Sequence, residues 1–207
     1  MASPRKPKPK TPTQTSKASS RSAASAGYRQ VALLRGINVG KAKRVAMADL
    51  RQLFETLGYR DVKTLLNSGN VVYSADSDRP VEAAARIEKG IASRIGFTSI
   101  VTVLTAGEVA TVIAENSLTK VAGDPARLLV AFHMDRKALA GLRPLMKEKW
   151  APEALAVGSH AAYLWCCDGI LESRLGESVN RMLGPGVTTR NWATTQKLHA
   201  MLQEGAS

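Results

Sequence analysis

"RQVALLRGINVGKAKRVAMADLRQLFETLGYRDVKTLLNSGNVVYSA", residues 29–75, decides the fold through its changes of period. "RQVALLRG" is a short apolar run closed by Gly36, which reads as a strand. In "MADLRQLFETLG", Met47, Leu50, Leu53, Phe54 and Leu57 fall on one helical face and Gly58 ends it. "DVKTLLNSGNVVYSA" then reads as two strands turning around Ser68 and Gly69, a hairpin.

Downstream, "RPVEAAARIEKGIASRIG" starts with Pro80 in a first helical turn, and Val81, Ala84, Ile87, Ile91 and Ile95 line one face. "TSIVTVL" is a strand. Thr105 and Glu108 make a capping box that opens the helix "GEVATVIAEN". The order is βαββαβ with a trailing helix, and the second half repeats it. "ARLLVAFHM" is a strand, and "DRKALAGL" a helix capped by Asp135 and broken at Pro144. "EALAVGSHAAYLWCC" is a strand pair turning near Ser159 and His160. "LESRLGESVNRML", "GVTTR" and "NWATTQKLHAML" complete the series as helix, strand and trailing helix, the last capped by Asn191. The expectation is an α+β chain of two tandem ferredoxin-like (βαββαβ) plaits, residues 28–116 and 126–203, joined by a linker over 117–125.

Composition sets the outer bounds. A chain of 207 residues with 44% hydrophobic and 5% aromatic residues can build a core, mainly of aliphatic side chains. It contains no apolar run long enough to span a membrane and no signal-peptide core. Cys166 and Cys167 are adjacent, which disfavours a secreted disulfide framework and fits a reducing cytoplasm. The net charge is +12, and half of it comes from the six bases of residues 1–26, where no acid occurs. Residues 1–27, rich in Pro, Ser, Lys and Ala, are expected to form a disordered basic tail. It could solubilise the chain or touch nucleic acid non-specifically. The remainder is only mildly basic, so the pI of about 10.0 is weak evidence for nucleic-acid binding.

The expected strand order, 4-1-3-2, sets the loop after strand 1 (Arg35 to Arg44) beside the hairpin Asn67-Ser68-Gly69-Asn70. That juxtaposition gathers Arg35, Asn38, Asn67, Ser68 and Asn70 next to a basic loop. The matching positions of the second half are His133, Met134, Asp135, Ser159 and His160, so the plait itself does not demand the first-half set. Asn and Gly also serve turns that need positive φ, which is the competing explanation.

"VALLRGINVGKAKRVAMADLRQLFETLGYRDVKTLLNSGNVVYSA" resembles the N-terminal signature of the bacterial domain-of-unknown-function 1697 family, and "VTTRNWATTQKL" its C-terminal signature. Arg35, Gly36, Asn38, Gly40, Ser68, Gly69, Asn70, Thr189, Arg190, Asn191 and Trp192 match its motifs, while Lys41 stands where the family usually has a second glycine. The resemblance implies paired ferredoxin-like plaits and brings no established reaction.

Several specific chemistries fail on mechanics. "GINVGKA" has three residues between its glycines, and Ala42 follows Lys41, so it lacks the spacing and the Mg²⁺-binding hydroxyl of a nucleotide-hydrolysing loop. An RNA-stacking sheet needs aromatics on strands 1 and 3, where only Tyr73 occurs. His133, His160 and His199 are isolated, and no metal or cofactor is expected. Ser68 has no base assignable from the sequence, so any catalytic residue stays unknown.

Two function classes remain. One is a protein that binds a small anionic molecule through Arg35, Gly36, Asn38, Gly40, Lys41, Asn67, Ser68, Asn70 and Arg190, with catalysis left open. The other is a structural or interaction module whose polar motifs fix turns and the junction between repeats. Arg190 divides them. It is either a surface or interface residue beside the Asn191 cap, or it joins the first-half cluster across the pseudo-twofold junction and pairs with an anion or carboxylate.

Overall fold

A computed structural model of the chain describes residues 27–39, 43–77 and 79–204, together with Met1. The expected tail therefore lies almost wholly outside the described residues, as do Gly40 and Lys41. The first half runs β1 (Tyr28–Leu34), α1 (Met47–Thr56), β2 (Arg60–Leu65), β3 (Asn70–Ala75), α2 (Pro80–Arg94), β4 (Val101–Thr105) and α3 (Ala106–Glu115). The second runs β5 (Leu128–Phe132), α4 (Arg136–Ala140), β6 (Ala154–Val157), β7 (Ala161–Trp165), α5 (Arg174–Leu183), β8 (Thr188–Asn191) and α6 (Trp192–Gln203). Each half forms a four-stranded antiparallel sheet, ordered β2-β3-β1-β4 and β6-β7-β5-β8.

The helix boundaries follow local chemistry. Thr105 and Glu108 form the reciprocal capping box that opens α3. Asp135, Ser173 and Asn191 cap α4, α5 and α6 through their side-chain oxygens. Pro80 occupies the first turn of α2, where its missing N–H has no helical partner in any case. One expected core position is wrong. Val81 is exposed, and the buried stripe of α2 runs Ala83, Ala84, Ile87, Gly90 and Ile91. The helical period allows either choice at the first turn, and packing on the sheet selects the alanines.

Strand alternation sorts the apolar residues into three cores. Ala32, Leu34, Val71 and Tyr73 point to the outer face of the first sheet, under α1 and α2. Leu129, Ala131, Ala162 and Leu164 point to the outer face of the second sheet, under α4 and α5. Between the sheets lies the third core. Val31, Leu33 and Val72 of the first sheet meet Val130, Phe132 and Tyr163 of the second, with Val109 and Val112 of α3 and Trp192 and Leu198 of α6 between them. The order of layers is helices, sheet, helices, sheet, helices. The two trailing helices form the middle layer and pack on each other.

Each sheet also holds the end of a middle helix. The Tyr163 hydroxyl donates to the Val112 carbonyl of α3 at 2.8 Å, and Arg29 Nη2 donates to the Met201 carbonyl of α6 at 2.7 Å. Both acceptors lie in last helical turns, where carbonyls lack intrahelical donors. Tyr73 of β3 is buried against Phe54 and Tyr59 and donates to Gln30 at 2.9 Å, so it has no face to offer a base, and the other aromatic of β1 and β3, Tyr28, stands exposed at the first position of β1. No helix among the described residues is long and apolar enough to cross a membrane.

Candidate functional site

The loop after β1 closes on itself through Asn38. Its backbone takes φ = 55°, a conformation asparagine tolerates better than most residues. Its N–H donates to the Lys43 carbonyl at 3.0 Å. Its side-chain oxygen accepts from Val45 N–H at 2.9 Å, and its amide donates to the carbonyls of Val45 (3.0 Å) and Asn67 (2.9 Å). Both ends of the side chain are thus engaged by the loop and the β2–β3 hairpin. Asn38→Ala is expected to cost about 1–2 kcal/mol, read as a shift in the chemical-denaturation midpoint.

The hairpin is held as tightly. Gly69 adopts φ = 74°, and a Cβ there would come within 2.8 Å of Leu34 Cβ and 2.9 Å of Ile37. Only glycine lets the turn lie that close to β1, where Leu34 N–H donates to Gly69 O at 2.8 Å. Asn70 is fully buried, and its amide donates to Leu65 O at 2.9 Å and Ser68 Oγ at 3.0 Å. The side chains of Asn67 and Ser68 are exposed at the tip.

Arg190 does reach this cluster across the junction between halves. Its Nε donates to Asn70 Oδ1 at 2.5 Å, and its Nη2 to the carbonyls of Leu34 (2.9 Å) and Ser68 (3.0 Å). Nη1 donates to Thr188 Oγ1 at 3.0 Å and to Thr189 O at 2.8 Å. Among the described residues every acceptor is a neutral oxygen. Burial pulls the guanidinium down to about 10, so it keeps its charge at neutral pH and is stabilised there by peptide and amide dipoles.

Arg35 behaves differently. Its Nη1 alone takes three carbonyls of the segment before β8: Gly184 (3.2 Å), Pro185 (2.5 Å) and Val187 (2.7 Å). Among the described residues, Nε and Nη2 have no acceptor. Arg35 also lines an open cavity of about 440 Å³, with Gly36, Lys43, Glu88, Thr98, Ser99, Ile100 and Pro185. Lys43 Nζ donates to Thr98 O at 2.9 Å, Ser99 Oγ donates to Arg35 O at 2.9 Å, and Glu88 Oε1 accepts from Val101 N–H at 2.8 Å. Of the sequence-expected residues, the cavity receives Arg35 and Gly36. Asn38, Asn67, Ser68, Asn70 and Arg190 do not line it. Glu88, Thr98, Ser99 and Pro185 carried no signal in the sequence, because only tertiary packing brings them to this loop: the pairing of β4 with β1 for Thr98 and Ser99, α2 for Glu88, and the segment before β8 for Pro185.

The equivalent edge of the second half is closed by acids. Ser159 donates to both oxygens of Glu115 at 2.9 and 3.0 Å, and Glu108 takes Arg136 at 2.6 Å. Desolvation and the nearby Arg136 hold His160 below the ordinary imidazole range. A second cavity, about 450 Å³, opens on the outer face of the second sheet over Ala131, Leu164, Val179 and Val187. Among the described residues no group of three or more His, Cys, Asp or Glu could hold a metal, and Ser68 has no His or carboxylate partner. Cys166 and Cys167 are both free. Burial pushes the Cys166 thiol up to about 11, as befits a core residue.

The family model described as "Protein of unknown function (DUF1697)" matches residues 28–163. The chain belongs to the DUF1697 family. The match takes in β1 through β6 and the first residues of β7, with the Arg35 loop and the Asn70 hairpin, while the "TTRNW" stretch that supplies Arg190 lies beyond it. The conserved bacterial protein SP0830 from Streptococcus pneumoniae is similar in fold to this DUF1697 chain: TM-score 0.67 and 23% identity, over 86% of this chain and 100% of that one. No curated protein matches the chain.

Proposed function

We propose that this chain is a pair of ferredoxin-like units, residues 28–116 and 126–203 with a linker at 117–125, that binds a small anionic molecule in the cavity beside Arg35. The identical strand order of the two sheets and the matching sequence of elements support the paired-plait reading. The observation that carries the ligand site is the half-occupied Arg35 guanidinium. Three carbonyls fix one nitrogen, the other two have no acceptor among the described residues, and Arg35 lines a 440 Å³ cavity together with Lys43. A fork held in place on one side is pre-organised for an oxyanion on the other.

Asn38, Asn67, Ser68, Asn70 and Arg190 form the frame of this site. They fix the loop, the hairpin and the segment before β8, and their bonds to one another support that role. Gly36 lets the chain leave β1 without a side chain at the mouth, at φ = 67°. Two adjacent free thiols support a cytoplasmic location.

Arg35→Lys is the direct test. Lysine keeps the charge and can still meet the carbonyls of Gly184 and Val187, yet it loses the fork. Calorimetric titration with phosphorylated metabolites and nucleotides should show binding to the parent chain and a Kd about tenfold or more weaker in the variant. Equal affinity in the two proteins would remove Arg35 from the site.

A further inference from the structure

Glu88 is the wall of the cavity that simple anion capture leaves unused. It lies on α2, lines the cavity with Arg35 and Lys43, and commits Oε1 to the Val101 amide. It makes no ion pair with either base: among the described residues no nitrogen of Arg35 or Lys43 lies within 4.0 Å of it. The cavity is therefore lined both by donors and by a carboxylate that is not paired with them. An oxyanion without a proton meets repulsion from Glu88 and has nothing to give it. An oxyanion that retains a proton donates to Glu88 while its remaining oxygens accept from the two bases.

Building on the anion-binding reading, we propose that this cavity selects a phosphoryl group that still carries a proton, with Arg35 and Lys43 as donors and Glu88 as the acceptor of that proton's hydrogen bond. Inorganic phosphate keeps at least one proton at neutral pH. A phosphate monoester regains its own only as pH falls through about 6. Sulfate keeps none. A volume of about 440 Å³ also leaves room for the organic part of a monoester. No covalent step is implied.

Calorimetric titration of the full chain separates the cases. At pH 7.5, inorganic phosphate should bind at least tenfold more tightly than sulfate. Glycerol phosphate should tighten about tenfold between pH 7.5 and 5.5 while sulfate stays level. An ester that then exceeds inorganic phosphate identifies the monoester as the ligand class, and one that falls below it identifies the free ion. In Glu88→Gln, whose amide oxygen can still accept from Val101, the preference for phosphate over sulfate should collapse toward one. If that variant fails to fold, the pH response of the ester against sulfate in the parent chain decides alone. Equal affinity for phosphate and sulfate overturns the selection and leaves anion binding standing. Absence of binding by all three overturns the anion-binding reading itself.

Discussion

Arg190→Ala should destabilise the protein by about 3–4 kcal/mol, among the largest losses expected from one side chain outside the apolar cores. The substitution removes a charged donor set from Asn70 Oδ1, Leu34 O, Ser68 O, Thr188 Oγ1 and Thr189 O, all at the junction between the halves. Buried Asn70 would be left with an unpaired oxygen, and the carbonyls of Leu34 at the end of β1 and Ser68 in the hairpin turn would lose this partner. For a chain of this size the loss corresponds to roughly 10 °C in Tm. Arg190→Lys should fall between, because an ammonium cannot meet five acceptors spread over a plane. Arg181→Ala makes a suitable control, since its bond to Glu177 is exposed on both sides and contributes little. A Tm change for Arg190→Ala no larger than that of the control would show the network to be ornamental.

A fragment ending at Lys120, which keeps the first sheet and α1 to α3, should fail to melt cooperatively. The inner face of that sheet presents Val31, Leu33, Val72 and Leu104, all buried in the intact chain. Cover comes from α3 and also from α6 and the second sheet, through Trp192, Leu198, Phe132 and Tyr163. Removing the second half returns that surface to water and frees the Val112 carbonyl from Tyr163. Uncovering even four such side chains costs about 1.5–3 kcal/mol each, comparable with the whole stability of a domain. The expected result is broad thermal unfolding by circular dichroism and poorly dispersed amide resonances. A sharp transition near that of the full chain would mean that the halves are independent domains. By the same physics the full chain should unfold in one step.

Arg35→Lys reports on affinity and Glu88→Gln on selectivity, and because both residues line one cavity and would contact the same bound group, their effects should couple rather than add. Asn38→Ala should lower stability, and it should weaken binding only as far as it loosens the loop that carries Lys43.

Much of this architecture was legible before any coordinates. Short apolar runs over Val31–Leu34 and Val71–Ala75, period 3.6 over Met47–Leu57, and the caps at Thr105, Asp135 and Asn191 all report interactions within a few residues, which local sequence determines. The proximity of the Arg35 loop to the Asn70 hairpin followed from strand order alone, and the bond from Asn38 to Asn67 realises it. Roles within that cluster were decided only by the tertiary structure. Whether an asparagine binds a ligand or a neighbouring carbonyl depends on ångström-scale placement, and here Asn38, Asn70 and Arg190 spend their donors inside the protein. The walls of the cavity depend on contacts across long sequence separations: Arg35 to Gly184, and Ser99 back to Arg35. Hydrophobic period likewise says that one face of α3 and α6 is apolar without saying what covers it. Two sheets closing on those helices from both sides supplied the answer, because this packing buries the inner faces of both sheets and the apolar faces of α3 and α6 in one core.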